Sequence, residues 1–126
     1  MAELAKYPGQ AAISDYGNGG FRFAGISHQG SLLLLPSGIY AWKIPQFETL
    51  DADDFQPVFR ETAKIEFLLL GCGAHLLMPG SNIRQAFEDH DIGLEYMDTG
   101  AAVRTYNVLL AENRNVAAAI IAVENP

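Results

Sequence analysis

Cys72 and His75 are the only nucleophile and base that lie close together in this sequence. A catalytic thiol needs access to substrate and a lowered pKa, which a helix terminus or a cationic neighbour can provide. A lone cysteine that follows an apolar strand is more often a small packed side chain with no reaction to perform. We therefore predict no catalytic residue, and we keep Cys72 and His75 as candidates for ligand binding.

Metal and cofactor sites have little support in the residue pattern. The three histidines lie in separate predicted elements, and a single cysteine cannot form a cysteine-based zinc site. The segment 71–73 resembles the start of a dinucleotide-binding fingerprint, but Leu76 occupies the third glycine position and 78–80 delays the helix. We expect neither a metal nor a cofactor.

Two groups of residues follow predicted parallel strands, which is where open α/β sheets bind their ligands. Helices expected to start at Ser81 and Thr99 would point free amide groups at this rim, an arrangement that suits a small anion or a carboxylate. The simpler interpretation is that both residues are ordinary helix caps and that the glycines only let the chain leave a strand. The candidate ligand-binding residues at the rim are Gly71, Cys72, Gly73, His75, Thr99, Gly100 and Arg104.

Arg104 also has two interpretations. It lies on the helix that follows Thr99, where it would reach an anion at the rim or form an ion pair with Asp98 or Glu95. The ion pair is the more ordinary outcome for an arginine near carboxylates. We predict that Thr99 caps the helix and that Arg104 is paired.

The elements that position these residues differ between the two parts of the chain. Alternation from Phe21 to Ile26, a hairpin turn over 28–31 and two apolar runs predict an antiparallel β unit in the first third. Helical spacing then begins near Gln56, because Pro57 is best tolerated in a first turn. The remainder predicts strands over 65–70, 94–97 and 116–123, separated by helices over 81–90 and 101–112.

Strands that alternate with helices indicate parallel pairing through right-handed crossovers. We therefore predict an α/β fold with three layers, in which a mixed, mostly parallel sheet has helices on both faces and an antiparallel N-terminal β extension. A length of 126 residues is typical of one domain, so we expect a single domain over 1–126.

The charge balance and composition exclude several classes of function. Fifteen acidic residues against eight basic ones leave a formal charge of −7, and the basic residues are scattered, so no nucleic-acid interface is predicted. The longest uncharged apolar stretch, 29–42, is interrupted at 36–38 and is shorter than the ~20 residues that a spanning helix needs, so we predict no membrane insertion. The first ten residues contain Glu3 and no apolar run, which favours a cytoplasmic location.

Several segments together resemble one protein family. They are YGNGGFRF at 16–23, the segment 30–42, LGCG at 70–73 and, most specifically, GLEYMDTGAAVRTYNVLLAENRNVAAA at 93–119. The family they resemble comprises small, widely distributed, largely uncharacterised proteins whose mitochondrial members are assembly factors for respiratory complex I (NADH:ubiquinone oxidoreductase). The resemblance, over about residues 12–123, implies a three-layer fold and provides no catalytic residue. Because the N-terminal residues do not resemble a mitochondrial targeting segment, we expect a bacterial relative.

These observations favour a non-catalytic accessory or assembly protein that contacts other proteins, with complex I biogenesis implied by the resemblance. A homodimer is one form that such contacts can take. The alternative is a small-molecule-binding protein or an enzyme that uses the rim. An exposed apolar patch away from the strand ends would favour the first function, and a deep pocket facing Cys72 and His75 would favour the second.

Overall fold

The computed structural model describes residues 5–44 and 46–125, and within them the chain forms nine strands and three α-helices. The strands are β1 (Tyr7–Pro8), β2 (Ile13–Gly17), β3 (Gly20–Phe23), β4 (Ile26–Gln29), β5 (Ser31–Leu35), β6 (Gly38–Trp42), β7 (Phe67–Gly71), β8 (Gly93–Met97) and β9 (Val116–Ile120). The α-helices are α1 (Gln56–Phe59), α2 (Ser81–Asp89) and α3 (Thr99–Ala111), and short 3-10 helices lie at Phe47–Thr49, Ala52–Phe55 and Thr62–Lys64.

Six of these strands form the main sheet in the order β1-β6-β5-β9-β7-β8. β7 pairs in parallel with β8 and β9, whereas β5 pairs antiparallel with β6 and β9, and β1 pairs antiparallel with β6. As a result, β6, β7, β8 and β9 all run in one direction. The predicted mixed sheet is confirmed, and its parallel pairing is confined to the three strands that alternate with helices.

The N-terminal extension is a separate antiparallel sheet in the order β2-β3-β4. The sequence predicted one strand through Ile26, but the chain turns at Ala24 and Gly25, whose φ values are +49° and +77°. Two consecutive residues with positive φ form the tight turn that suits a two-residue hairpin. Alanine seldom adopts this conformation, so nothing in the residue types indicated β4.

Two clusters of buried side chains, one on each face of the main sheet, form the core. In β5, for example, Leu33 and Leu35 face one cluster and Leu32 and Leu34 face the other. The first cluster includes side chains from α1 and α2, and the second includes side chains from α3 and the three-stranded sheet. This arrangement confirms the predicted layers, and it explains why the central strands are apolar at every position.

The helix starts agree only partly with the sequence prediction. α1 begins at Gln56 with Pro57 in its first turn, as predicted. The predicted cap at Ser81 is wrong, because Gly80 is the N-cap residue of α2 and no side chain caps that helix. The predicted cap at Thr99 is also wrong, because the Asp98 carboxylate caps α3 by accepting from the Ala101 amide at 2.8 Å.

Candidate functional site

The predicted rim is a packed junction at which Thr99 connects the ends of two strands to the start of α3. Thr99 is fully buried, with 0% of its surface exposed. Its hydroxyl donates to the carbonyl of Ile121 at 2.6 Å and accepts from the amide of Gly73 at 3.0 Å. The Thr99 amide donates to the Gly73 carbonyl at 2.9 Å. The hydroxyl is therefore engaged in holding the segments after β7 and β9 against α3.

Gly71 and Gly100 are positions of close packing in the same junction. A Cβ atom at Gly71 would lie 3.1 Å from Ile120 Cγ2 and 3.1 Å from the Cα of Thr99. A Cβ atom at Gly100 would lie 2.5 Å from the hydroxyl of Tyr16, which belongs to β2. Both glycines therefore allow α3 to approach its neighbours closely, and the space beside them is already filled by the protein.

The structure does not make a nucleophile and base pair of Cys72 and His75. Cys72 is buried, and its thiol donates to the main-chain carbonyl of Leu77 at 3.2 Å. Burial raises the pKa of the Cys72 thiol above its ordinary value, which is opposite to what a reactive thiolate needs. His75 is exposed and makes no hydrogen bond to any residue in the described part of the chain. That neither residue is catalytic stays a prediction.

Arg104 is exposed and makes no ion pair within residues 5–44 and 46–125, so the prediction that it is paired is wrong. Its guanidinium lies along the first turn of α3, with Nη1 3.3 Å from the place where a Gly100 Cβ would stand. The sequence suggested Asp98 and Glu95 as ion-pair partners of Arg104. The Asp98 carboxylate instead caps the helix, and Glu95 is exposed on β8. Among the described residues, Arg104 is thus a cation without an ion-pair partner beside a helix N-terminus.

The most unusual surface is the apolar loop, which we define as Leu76, Leu77 and Met78 in the connection between β7 and α2. These three consecutive side chains have 62%, 39% and 64% of their surface exposed. Leu77 and Met78 border a cleft of about 320 Å³ whose other apolar walls are Phe47, Leu50, Pro79 and Ile83. The loop follows the end of β7 directly, so this apolar patch lies at the strand ends and not away from them.

The sequence reasoning missed the apolar loop, although its signal was present. Leu76, Leu77 and Met78 form an apolar run inside a segment assigned to neither a strand nor a helix. An apolar run outside the predicted strands and helices is a candidate for an exposed, functional patch, and the tertiary structure decides whether it is buried.

Two other clefts lie away from the rim. One, of about 320 Å³, is on the three-stranded sheet and is lined by polar residues such as Asp15, Arg22 and His28. Desolvation by burial lowers the pKa of His28. A hydrogen bond with the backbone of Ser31 raises that pKa by a smaller amount. The other cleft, of about 550 Å³, lies between α2 and β8.

Metal binding and membrane crossing find no support in the residues that the structure describes. No group of three or more histidine, cysteine, aspartate or glutamate side chains there is arranged to hold a metal ion. None of the described helices has the length and hydrophobicity that crossing a bilayer requires.

Comparison with known proteins connects this geometry to a family. The model of the family described as "Protein of unknown function (DUF498/DUF598)" matches residues 13–121. An uncharacterized protein from Rhodobacter capsulatus is 32% identical over 115 residues, which are 91% of this chain and 87% of that protein. The human protein named NADH dehydrogenase (ubiquinone) 1 alpha subcomplex assembly factor 3 is 29% identical over 109 residues, which are 86% of this chain. Those residues are 59% of the human protein, so the chain spans about three-fifths of its length.

A solved structure extends the comparison to the fold. A protein described as an outer membrane protein from Bartonella henselae is 47% identical, with a TM-score of 0.90 over 94% of this chain and 99% of that one. The predicted resemblance is therefore confirmed, and so is the three-layer α/β fold that it implied.

Proposed function

Since this chain belongs to the DUF498/DUF598 family, which has relatives named as assembly factors, we propose that it is a non-catalytic assembly or accessory protein. It acts by contacting other proteins. The role in complex I biogenesis that the relatives' name suggests is part of the same proposal, and it rests on identities of 26–29% over part of their length.

The observation that supports contact with proteins is the apolar loop, although it lies at the strand ends and not away from them as the sequence criterion required. The clefts described above do not include Cys72 or His75 in their lining, so the criterion for the alternative is not met either. Leu76 and Met78 each expose more than 60% of their surface, and Leu77 joins them to an open apolar cleft. Burying such a side chain fully is worth about 1.5–3 kcal/mol, so a partner that covers this loop gains several kcal/mol from these residues alone. Clustered exposed apolar residues on a protein surface mark interaction sites more often than isolated ones do.

The double variant Leu76→Ser and Met78→Ser tests this proposal. Partners are captured by cross-linking in native lysate of the source organism and quantified by mass spectrometry. We expect the double variant to lose the partners that the wild type captures. The matched control is Val108→Ser, which removes another exposed apolar side chain, 57% exposed, from α3. An unchanged set of partners in the double variant would contradict a docking role for the loop.

The complex I proposal needs a separate observation. We expect subunits of complex I, or proteins bound to its assembly intermediates, among the partners that depend on the apolar loop. Deleting the chain should then reduce the amount of assembled complex I measured by native gel electrophoresis. If the wild-type protein captures loop-dependent partners but the deletion strain assembles complex I normally, the function belongs to another complex. Location in the bacterial cytoplasm and assembly as a homodimer both stay predictions.

The alternative function is binding of a small anion or carboxylate at the rim, and Arg104 is the observation that favours it. An exposed guanidinium without an ion-pair partner in the described residues lies beside the start of a 13-residue helix. Binding there would involve Gly100 and Arg104 more than Thr99, whose hydroxyl is engaged, or Cys72, which is buried. A panel of carboxylates and phosphates should raise the melting temperature of the wild type and not of Arg104→Ala if this alternative holds.

A further inference from the structure

The strand β8 leaves one edge of the main sheet open. It is the last strand in the sheet order, and in the described part of the chain no other strand pairs with its outer side. The Gly93 amide and the Met97 carbonyl bond towards β7. Because the backbone groups of a strand alternate between its two sides, the N–H and C=O groups of Leu94 and Tyr96 point outwards. β8 carries no proline and no bulge that would prevent another strand from pairing there.

A cleft borders this open edge. It has a volume of about 550 Å³ and lies between α2 and β8. Leu94 and Tyr96 supply apolar wall on the strand side, and Phe87 and Ile92 supply it on the helix side. A strand added to β8 would therefore place alternate side chains in an apolar pocket, which is how strand-addition sites obtain specificity.

The charges around the cleft indicate the kind of segment that fits. Glu66, Glu88 and Asp91 line it, and Arg84 is its only cationic lining residue. Glu66 is paired with Arg114, whose Nη2 lies 3.5 Å from Glu66 Oε1, so Glu88 and Asp91 carry the remaining negative charge. The Nε of Arg84 donates to the Pro79 carbonyl at 3.1 Å, which holds it on the loop side of α2. Because alternate side chains of an added strand point to opposite faces of the sheet, those that do not enter the cleft would lie beside Glu95, which is exposed on the other face of β8. A segment that alternates apolar and basic residues is therefore complementary to this edge.

A second copy of this chain fits the edge less well. The symmetric antiparallel register that pairs each Leu94 with a Tyr96 would place the two Glu95 side chains opposite each other. Like charges directly opposite across strands are destabilising, and the acidic rims of the two copies would also approach. In this register the edge therefore favours a basic segment over self-pairing.

We propose that the β8 edge and its cleft bind an extended, lysine- or arginine-containing segment of a partner protein by strand addition. The inference rests on the proposed function only in supposing a protein partner, and it uses a different surface from the apolar loop. The backbone of Leu94 and Tyr96 supplies the hydrogen bonds, the cleft receives alternate apolar side chains, and Glu95 attracts the basic ones on the opposite face of the sheet.

The test uses a blocked hexapeptide of alternating lysine and valine as the probe, titrated into ¹⁵N-labelled protein and followed by NMR. We expect the amide signals of Leu94 and Tyr96 to shift and saturate, whereas a glutamate–valine hexapeptide of equal length leaves them unchanged. Leu94→Pro removes an outward N–H that the sheet does not use, so it should abolish binding. Leu94→Ala is its matched control, because it retains that N–H. Since it shortens one apolar wall of the cleft, it should weaken binding without abolishing it.

A second pair of variants tests the charge complementarity. Glu95→Gln should raise the dissociation constant about twofold, as the loss of one solvent-exposed ion pair predicts. Glu112→Gln, an exposed acid at the end of α3, should leave it unchanged. The proposal is overturned if the glutamate–valine peptide binds as tightly as the lysine–valine peptide. It is also overturned if Leu94→Pro binds as tightly as Leu94→Ala, or if no amide signal shifts at millimolar probe. Dilution-dependent β8 signals without peptide would assign the edge to a second copy instead.

These outcomes are independent of the apolar loop. The Leu76→Ser and Met78→Ser variant should bind the peptide as the wild type does. Loss of cross-linked partners and loss of peptide binding therefore report on different surfaces, and either result can fail alone.

Discussion

Replacing Thr99 with valine removes one hydroxyl group and keeps the shape of the side chain, so it isolates the hydrogen bonds at the junction. The substitution leaves the Gly73 amide without the acceptor that lies 3.0 Å away in the wild type. It also leaves the Ile121 carbonyl without the donor at 2.6 Å. The backbone around these groups is largely buried, so water replaces the lost partners poorly.

The expected cost follows from the burial of each group. A buried polar group that loses its partner costs about 1–3 kcal/mol. We assign about 2 kcal/mol to the Gly73 amide, which is buried, and about 1 kcal/mol to the Ile121 carbonyl, which is partly hydrated. The sum is about 3 kcal/mol, or a fall in melting temperature of about 12 °C for a domain of this size.

Two further variants separate this explanation from helix capping. Thr99→Ser keeps the hydroxyl and loses one methyl group, so it should cost about 1 kcal/mol. Asp98→Ala removes the side chain that caps α3 and should also cost about 1 kcal/mol. The measurement is urea unfolding followed by circular dichroism. A cost for Thr99→Val no larger than that of Thr99→Ser, or smaller than that of Asp98→Ala, would refute the reasoning.

Three other predictions concern the interior. Gly73 has a φ of +106° and its Cβ would lie 4.0 Å from the nearest atom, so Gly73→Ala should cost about 1–3 kcal/mol in urea unfolding through backbone strain alone. The Tyr106 hydroxyl is buried without a hydrogen-bond partner in the described part of the chain, so Tyr106→Phe should raise the free energy of unfolding by about 1 kcal/mol. Burial raises the pKa of the Cys72 thiol, so the neutral thiol contributes fully to the free energy of unfolding below the ordinary thiol pKa of about 8.5. This contribution is lost as the pH rises towards the pKa of the thiol in the folded state. Between pH 8 and 10, the free energy of unfolding should therefore fall less in Cys72→Ala than in the wild type, and equal slopes would contradict this.

The residue pattern alone determined much of the architecture. The apolar runs 65–70 and 116–123 predicted strands, and the first was predicted to be covered on both faces because a strand buried on both sides does not alternate with polar residues. The structure places these strands at Phe67–Gly71 and Val116–Ile120. The position of Pro57 located the start of α1, since proline is accepted only in a first turn. The alternation of strands and helices in the second half predicted the parallel pairs. These features depend on local properties of the chain, so a sequence is sufficient to show them.

The tertiary structure alone decided how the rim residues are used. Asp98 and Thr99 are adjacent, and the side chain of either can cap a helix. The positions of Gly73 and Ile121 bring the Thr99 hydroxyl into hydrogen bonds with both. Capping is therefore left to Asp98. The burial of Cys72 and the lack of an ion pair for Arg104 in the described residues likewise depend on neighbours distant in sequence. The apolar loop and the β8 edge are exposed because no other part of the described chain covers them. Long-range packing sets these outcomes, and the residue types at each position are compatible with more than one of them.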